Sequence, residues 1–533
     1  MEETGTYDYI VVGAGSAGCV LANRLTADPG VSVLLLEAGG SDRHPYIQAP
    51  AGFTRTINHP RFNWCFHTEP SPNVNGRAIG FPRGKALGGS SSINGHLYVR
   101  GQTADYDTWA QMGNRGWSFA EVEPYFERAE GTSGDPEAAG GHLHISELPD
   151  RHPLCEAYLE AARSFGLRTG HDYNGPEQEG VTYYRRTIRN GRRWSAADAY
   201  LHPIRNRQNL RIEKNVLVDR INLDGSCATG VSYHRGGKRF TATAGRECIL
   251  SAGTIGAPHL LQVSGIGPGP LLQQIGVDVR HQLAGVGEGF QDHYAARVAC
   301  RVKNIRTLNE RAHGLRLAGE IARWFLTGKG LLAFSPAHAA GFVKSEDHLD
   351  LPDLQLVFTP ASYTEGVIGK LQSFPGMTAG FWQMRPESKG HVRARSPDIA
   401  EAPVIQPNYL AEERDRAAVL AGIRWCRRFV RSAPFKPYFD TETLPGADVT
   451  SDDEVLDYVR QYGATVYHAI GSCRMGPDAL AVVDERLRVR GLERLRVIDA
   501  SVMPTMPSAN TNAATLMIAE KAADMLREDA RRA

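Results

Sequence analysis

Residues 7–18 read Tyr7-Asp-Tyr-Ile-Val-Val12-Gly13-Ala-Gly15-Ser-Ala-Gly18. The apolar, β-branched run before the glycines predicts a strand, and the pattern Cys19-Val-Leu-Ala-Asn-Arg-Leu25 after them predicts a helix. A second apolar run at residues 31–36 predicts another strand, and it ends in the acidic Glu37. Strand, glycine turn, helix and second strand with a terminal acid together indicate a βαβ unit that binds a dinucleotide.

Each of the three glycines and the terminal acid of this motif has a physical role. Gly13 permits the tight turn, Gly15 lets a pyrophosphate approach the backbone, and Gly18 lets the helix pack closely on the strand. The helix N-terminus supplies amide N–H groups and positive dipole character to the phosphates. Glu37 can accept hydrogen bonds from the adenosine ribose. Because FAD and NAD share the ADP half, these residues alone predict either cofactor.

The composition is that of an ordinary globular protein. Of 533 residues, 42% are hydrophobic and 22% charged, which is enough for a large core and favours two domains over one. The net charge of +1 argues against a nucleic-acid partner. The eight cysteines are scattered without a C-x-x-C pair, and the first residues lack a signal-peptide pattern. We therefore expect a cytoplasmic protein without a disulfide framework or a metal site.

The segment at residues 315–326 has apolar residues at helical spacing. It is shorter than the roughly 18 apolar residues that span a bilayer. We interpret it as a helix that packs between domains or covers a site, and peripheral contact with a membrane surface is the alternative.

A second glycine-rich stretch lies at residues 83–101 and reads Arg-Gly-Lys-Ala-Leu-Gly-Gly-Ser-Ser-Ser-Ile-Asn-Gly-His-Leu-Tyr-Val-Arg-Gly. Gly88-Gly89 and the serines offer free amides and hydroxyls with little bulk, which suits backbone lying against a flat ring. Any glycine–serine loop would share these properties. The order and length of the whole stretch, however, resemble the first signature of the glucose–methanol–choline (GMC) oxidoreductases, and Asn63-Trp64 with Thr68-Glu-Pro70 resemble their choline-dehydrogenase-like branch.

Two later segments are similar to further motifs of the GMC family. Residues 253–267 resemble its second signature, with Ala257 where serine or threonine is usual. Residues 285–293 resemble the next family segment, with Gly289 in place of asparagine. The resemblance extends over residues 7–521 and therefore covers almost the whole chain.

The resemblance implies the fold. We expect an α/β protein in which a discontinuous, Rossmann-like FAD-binding domain is joined to an α+β substrate-binding domain built on an antiparallel sheet. The positions of the motifs assign residues 1–149, 206–299 and 461–533 to the FAD-binding domain. Residues 150–205 and 300–460 are assigned to the substrate domain.

The cofactor implied by the resemblance is FAD. Some family members attach it covalently through a histidine immediately before the asparagine of the first signature, which is Asn94 here. Ile93 occupies that position and cannot form the bond, so we expect non-covalent FAD, although His96 lies nearby. The predicted cofactor-binding residues are Gly13, Gly15, Ser16, Ala17, Gly18, Glu37, Ala38, Trp64, Leu87, Gly89, Asn94, Gly95, His96, Leu97, Val216, Asp499, Ala500, Asn510 and Thr511.

The predicted catalytic pair lies near the C-terminus. His468 is in residues 465–476, which resemble the catalytic-histidine motif of the family with Ala469 for proline and Ser472 for threonine. A neutral imidazole with a pKa near 6.5 can take a hydroxyl proton near pH 7. Asn512 matches the position of the second catalytic residue, and its amide can donate to a developing alkoxide. It is also a candidate helix N-cap.

These features predict oxidation of a primary alcohol, aliphatic or aromatic, to its aldehyde. The base takes the hydroxyl proton, a hydride passes to the flavin N5, and O2 or a quinone or other carrier reoxidises the flavin. Choline dehydrogenase or oxidase is an alternative, although we can place no carboxylate for a cationic pocket. An FAD-containing hydroxynitrile lyase is another, because a histidine base can also cleave a cyanohydrin. A non-catalytic FAD-binding protein is disfavoured because it would need no such catalytic pair.

Overall fold

A computed structural model describes residues 2–132, 142–148, 151–364 and 370–532. The strands in these ranges are β1 (Glu2–Val12), β2 (Val33–Glu37), β3 (Phe66–His67), β4 (Gly80–Phe81), β5 (Gly180–Tyr183), β6 (Ile188–Arg189), β7 (Arg192–Arg193), β8 (Leu210–Lys214), β9 (Val216–Asp224), β10 (Cys227–Arg235), β11 (Lys238–Leu250), β12 (Ile266–Gly267), β13 (His281–Gln282), β14 (Glu288–Phe290), β15 (Tyr294–Val302), β16 (Ala339–Val343), β17 (Leu354–Thr359), β18 (Gly376–Gln383), β19 (Gly390–Arg393), β20 (Val404–Gln406), β21 (Phe439–Leu444), β22 (Ala464–Thr465) and β23 (Leu495–Val497). The α-helices are α1 (Ser16–Leu25), α2 (Pro45–Gln48), α3 (Phe53–Thr56), α4 (Thr103–Gln111), α5 (Phe119–Glu130), α6 (Pro153–Ser164), α7 (Gly253–Val263), α8 (Gly269–Gln274), α9 (Leu308–Arg311), α10 (Gly314–Thr327), α11 (Glu413–Val430), α12 (Asp452–Tyr462) and α13 (Thr511–Arg532).

The first large sheet carries the dinucleotide motif. Its order is β8-β2-β1-β11-β10-β9, with β23 beside β11. The strands β8, β2, β1, β11 and β23 are parallel, whereas β10 runs antiparallel to both of its neighbours. The residues of β2 are all buried, as expected for a strand covered on both faces. The predicted strand–turn–helix–strand unit is present as β1, α1 and β2.

Parallel strands place their carboxyl ends at one edge of a sheet, and ligands of doubly wound folds bind there. Gly13 directly follows β1, Glu37 ends β2, and Ser251 directly follows β11. Asp499 follows β23 after one intervening residue. Four separate parts of the chain therefore meet at this edge.

Close backbone approach explains the glycines at this edge. Gly13 has a φ of +101°, and a Cβ there would collide with the carbonyl oxygen of Ser251. A Cβ on Gly18 would collide with the carbonyl oxygen of Gly13, so the helix could not close on the turn. A Cβ on Gly89 would lie 2.7 Å from the Cα of Gly15. The two glycine-rich stretches of the sequence are thus packed backbone against backbone.

The second large sheet is antiparallel, with the order β21-β15-β18-β17-β16-β5 and with β22 beside β15. One face packs against α6, α11 and α12 in a core that includes Tyr158, Leu356 and Phe429. This sheet is the antiparallel sheet expected for the substrate-binding part. The first six residues of β15, 294–299, lie in a segment that the sequence assigned to the FAD-binding domain, and the predicted domain boundaries stay a prediction.

The C-terminal helix α13 anchors the first sheet by packing on α1 and α5. Glu520 on α13 forms two hydrogen bonds of 2.8 Å with the guanidinium of Arg24 on α1. The two side chains are 0% and 5% exposed. Removing one partner from such a buried pair leaves the other charge uncompensated, which is strongly destabilising.

We expect Glu520→Ala to lower the free energy of unfolding by about 3–5 kcal/mol because the Arg24 guanidinium stays buried without its carboxylate. The matched control is Asp452→Ala, which breaks an ion pair with Arg424 whose side chains are 57% and 64% exposed. It should cost only about 0–1 kcal/mol. Thermal unfolding midpoints compare the two variants, and equally small shifts would contradict the anchoring role of the buried pair.

Candidate active site

One large cavity, of about 980 Å³, lies between the carboxyl edge of the first sheet and one face of the second. The predicted site residues that line it are Gly13, Gly15, Ser16, Ala17, Glu37, Ala38, Trp64, Gly89, Asn94, Gly95, His96, Leu97, Val216, His468, Asp499, Ala500, Asn510, Thr511 and Asn512. Gly18 and Leu87 do not reach its wall. Gly18 is covered by the turn at Gly13, and Leu87 is buried in the core of the first sheet.

At the nucleotide end of the cavity, hydrogen bonds within the motif fix the carboxylate of Glu37. Glu37 accepts the backbone N–H of Ala14 at 2.8 Å and that of Gly39 at 2.7 Å. Burial raises the pKa of Glu37 to about 7, although these two N–H groups act in the opposite direction. No side chain caps the N-terminus of α1. The helix end therefore keeps amide donors for an external acceptor such as phosphate.

Several polar atoms in this wall are buried and have no hydrogen-bond partner among the described residues. They include Ser251 Oγ and both ring nitrogens of His96. Such atoms cost free energy unless a ligand satisfies them. Asp499 faces the same cavity and accepts the N–H of Gly253 at 2.8 Å. A cavity lined by a phosphate-binding turn, an acid at the second strand and unsatisfied polar groups fits FAD.

The backbone around His468 is fixed by strand pairing and by one carboxylate. The short strand β22 pairs with the start of β15, so Thr465 lies opposite Tyr294. Asp292 accepts the backbone N–H of His468 at 2.7 Å and the hydroxyl of Thr465 at 2.5 Å. Tyr467 between them has a φ of 70°, a left-handed conformation that non-glycine residues rarely adopt. The histidine is thus held by a strained and over-determined turn.

A chain of hydrogen bonds determines where the protons of His468 lie. The Met384 carbonyl oxygen can only accept, so His293 Nε2, 2.7 Å away, carries a hydrogen. In the neutral ring His293 Nδ1 is then unprotonated, and it accepts a hydrogen bond from the N–H at His468 Nδ1 at 2.9 Å. His468 therefore keeps its lone pair on Nε2. Because β15 pairs with β18 and Ala295 lies opposite Trp382, the strand register itself brings His293 to Met384.

The structure gives the two asparagines different positions from those expected. Asn510 Nδ2 lies 3.0 Å from His468 Nε2, and its Oδ1 accepts from Gln355 Nε2 at 3.2 Å. Asn512 instead accepts from the Ser16 hydroxyl at 2.7 Å, beside the N-terminus of α1. Residues two apart at a helix start point in nearly opposite directions, so only one of the pair can face His468. That residue is Asn510.

Electrostatics keeps both histidines neutral near pH 7. Burial holds the pKa of His468 well below its usual range, and His293 and the charge of Arg83 lower it further. Burial lowers the pKa of His293 to about 4, although its hydrogen bond to Met384 acts against this. A neutral His468 that carries its lone pair on Nε2 can act as a general base.

Sequence reasoning assigned no role to His293, Asp292 or Gln355. His293 and Asp292 lie in a segment that resembled the GMC family, but their partner His468 is 175 residues away from His293. The one local signal was an Asp-His pair directly before the segment that forms β15. Such a pair indicates a site only when the strand register is known.

The sequence matches the family models for GMC oxidoreductase over residues 7–295 and 386–519. Human mitochondrial choline dehydrogenase is 41% identical, and the match covers 99% of this chain and 90% of the relative. An alcohol dehydrogenase (acceptor) from Pseudomonas putida is 39% identical over 98% of this chain and 95% of the relative.

Solved structures agree with these matches. Pyridoxine 4-oxidase from Mesorbium loti superposes with a TM-score of 0.88 at 29% identity and covers 98% of this chain and 99% of its own. The parallel sheet with its dinucleotide turn, the antiparallel sheet and the two family matches lead to one assignment. The chain belongs to the GMC oxidoreductase family and is an oxidoreductase acting on CH–OH groups.

Proposed function

We propose that the protein oxidises a primary alcohol to its aldehyde with His468 as the base. The observation that carries this proposal is the hydrogen-bond chain from Met384 through His293, which leaves the lone pair of a neutral His468 on Nε2 facing the cavity. Asn510 replaces Asn512 as the proposed partner, because its amide is the one that contacts this nitrogen.

The alcohol oxygen takes the place of the direct contact of 3.0 Å between Asn510 Nδ2 and His468 Nε2, which must open. The alcohol hydroxyl then donates its proton to His468 Nε2, and the alcohol oxygen accepts a hydrogen bond from Asn510 Nδ2. The Asn510 amide thereby stabilises the negative charge that develops on this oxygen. Gln355 keeps the amide in this orientation by donating to Asn510 Oδ1. When bound, FAD supplies the acceptor for the hydride that leaves the carbinol carbon. The products are the aldehyde, a proton on His468 and a reduced cofactor.

The cofactor in this proposal is non-covalent FAD. Ile93 is buried against Ile47, Phe62 and Ala86, and its side chain cannot bond to a flavin. The electron acceptor is O2 or a quinone-class carrier. The proposed compartment is the cytoplasm, which is supported by the eight unbridged cysteines, all of them in the described part of the chain.

The purified protein should show a flavin spectrum that bleaches under anaerobic conditions when a primary alcohol is added. His468→Ala should slow this bleaching by about 10²–10⁴-fold, because the general base is lost. Acid precipitation of the same sample should leave the FAD in the supernatant. Fast recolouring in air would identify an oxidase and slow recolouring a dehydrogenase. A flavin that no alcohol bleaches but that accompanies cyanohydrin cleavage would instead identify a lyase.

His293→Ala should lower the rate of flavin reduction by about 10–10²-fold, because His468 is no longer restricted to the tautomer with a bare Nε2. Burial holds the pKa of His468 well below 6.5, so the acid limb of kcat/KM in the parent enzyme should lie below pH 6.5.

His293→Gln, which can still accept at the same place, should recover part of the rate. The matched control is His338→Ala, another buried histidine, whose pKa burial lowers to about 3 and which does not contact His468. A loss in the control equal to that in His293→Ala would show that the effect is only structural.

The apolar segment forms α10, and no helix in the described ranges is long and apolar enough to cross a membrane. Trp324 packs inward and donates to the Gly191 carbonyl at 2.7 Å. The outer face is apolar: Leu315 is 92%, Phe325 61% and Leu326 85% exposed. These three are the most exposed of the large apolar side chains in the described part of the chain.

Positive charge surrounds this apolar face. Exposed cations occur on and after α10 and on the hairpin formed by β6 and β7 that receives Trp324; they are Arg316, Arg323, Lys329, Arg189 and Arg192. The acidic Glu320 of the helix is paired with Arg311 at 2.7 Å. We propose that the face rests on an anionic lipid surface, to which each cation adds about 1 kcal/mol of attraction.

The protein should sediment with phosphatidylglycerol vesicles and much less with phosphatidylcholine vesicles. Replacing Leu315, Phe325 and Leu326 by serine should abolish sedimentation, because the apolar anchor is lost. The matched control replaces Val279, Leu351 and Leu480, which are 40%, 42% and 49% exposed, by serine. Equal loss in both variants, or a dimer that disappears only with the helix variant, would contradict a lipid partner.

A further inference from the structure

The cavity wall opposite the nucleotide turn contains a cation with no role in the proposed chemistry. Arg297 lies on β15 directly opposite Gly380 on β18, which in turn lies opposite Val357 on β17. A Cβ on Gly380 would lie 3.7 Å from Arg297 Cβ and 3.1 Å from Val357 Cγ2. The three residues therefore share the face of the sheet that lines the cavity. The missing side chain at Gly380 leaves room beside the arginine.

Arg297 is half-buried, and within residues 2–132, 142–148, 151–364 and 370–532 its side chain has neither an ion pair nor a hydrogen bond. Its backbone carbonyl accepts a hydrogen bond from the Tyr458 hydroxyl at 2.7 Å. The other arginines of this part of the wall are satisfied. Arg77 donates to the Gly463 carbonyl at 2.9 Å, and Arg83 donates to the Tyr467 carbonyl at 3.1 Å. A half-buried cation without a partner has lost hydration without gaining an interaction, so an anionic ligand would stabilise it.

Two further hydrogen-bond donors of the same wall also lack partners among the described residues. The Tyr363 hydroxyl and the Trp382 indole N–H are both buried and unpaired. Burial raises the pKa of Tyr363 to about 12, and the positive charge of Arg297 acts against this rise, which places the two side chains within electrostatic reach. Guanidinium, phenol and indole together offer donors and a positive charge to an acceptor group.

We propose that this wall is a carboxylate subsite, in which Arg297 binds the anionic end of a hydroxy-acid substrate whose alcohol is oxidised at His468. The inference rests on the proposed function and adds its substrate class. A planar guanidinium matches a carboxylate with two parallel N–H···O bonds, which a neutral alcohol cannot form. The Tyr363 hydroxyl can add a third bond.

Arg297 lies farther along the sheet from the base than Trp382 does. The Trp382 ring lies 5.6 Å from the His468 ring, and Trp382 lies opposite Ala295. Arg297 is two residues beyond Ala295 on β15, which is roughly 7 Å along the strand. The carboxylate and the carbinol carbon of the substrate must then be separated by a spacer such as an aromatic ring or a short alkyl chain.

The same wall disfavours choline, the substrate in the names of several relatives. A quaternary ammonium would be repelled by Arg297 and would need a carboxylate beside the aromatic faces. The acidic residues that line the described cavity are Glu37 and Asp499 at the nucleotide edge and the exposed Glu401. Asp292 is engaged by His468, Thr465 and Tyr409.

Anaerobic stopped-flow reduction of the FAD enzyme compares three probes: 4-(hydroxymethyl)benzoate, its neutral isostere 4-methylbenzyl alcohol, and choline. The carboxylate should reduce the flavin with the highest second-order rate constant. Arg297→Met should lower that constant by about 10²-fold and leave the neutral alcohol within about threefold, so the preference is lost. Arg297→Lys should retain part of it, because the charge remains but the bidentate geometry does not.

Arg301→Met is the matched control, because Arg301 lies on the same strand but is exposed and outside the cavity. It should retain the preference of the parent enzyme. A binding measurement that needs no turnover uses 4-methylbenzoate, which should perturb the flavin spectrum with a Kd that Arg297→Met weakens by about 10²-fold.

A neutral alcohol or choline that reacts faster than the carboxylate, or an Arg297→Met variant that keeps the carboxylate preference, would overturn the subsite and leave alcohol oxidation standing. If 4-methylbenzoate binds through Arg297 but no probe bleaches the flavin, the subsite stands and the proposed reaction fails. Absence of both binding and bleaching overturns both.

Discussion

The carbonyl oxygen of Met384 has no hydrogen to give, and the proton positions of the candidate active site depend on this. His293 must present its N–H to that oxygen, so its other nitrogen must accept, and the neighbouring His468 must donate. These hydrogen bonds allow only one position for the proton on each imidazole as long as both rings are neutral. Burial ensures that they are, since it lowers the pKa of both histidines. A backbone atom at the end of β18 thus sets the chemical character of a side chain on another segment.

This arrangement is possible because a mostly parallel sheet and an antiparallel sheet both border the same cavity. The parallel sheet brings distant segments together at its carboxyl edge, where turns and helix starts offer amide groups. The antiparallel sheet instead presents one face, on which alternate residues of β15, β17 and β18 form a wall. His293 lies directly before β15, where the face ends and the loops of the first sheet begin. The proposed reacting groups therefore lie where the two sheets meet, and the side chain proposed to bind the substrate, Arg297, lies on the face of the antiparallel sheet.

Much of the nucleotide half could be predicted from the sequence because its signals are local. Strand, turn, helix and acid follow one another within residues 7–37, and Gly18 is required by its contact with Gly13. Gly13 is an exception, because the residue that leaves no room for a side chain there is the distant Ser251. His468 was predicted as the base from the motif around it. His293 was not, since its role arises from the register of β15 with β18 and β22.

The two asparagines show a second limit of sequence reasoning. Asn510 and Asn512 lie in the same short motif. The resemblance predicted that Asn512 faces His468 and that Asn510 binds the cofactor, whereas in the structure Asn510 contacts His468 and Asn512 contacts Ser16. Their positions follow from where α13 begins, because one additional residue of helix would rotate the start of the helix by about 100°. Element boundaries are the property that sequence patterns define least well.

The contact between the Asn510 amide and His468 Nε2 also determines how a turnover must end. Before reaction, a donor faces a lone pair, and the arrangement is attractive. After reaction, the same nitrogen of His468 carries a proton, so two donors face each other once the aldehyde oxygen has left from between them. The resting contact cannot re-form until that proton departs. Deprotonation of the imidazolium is then a reset step, and an enzyme that has released its aldehyde is not ready for another alcohol until the reset is complete.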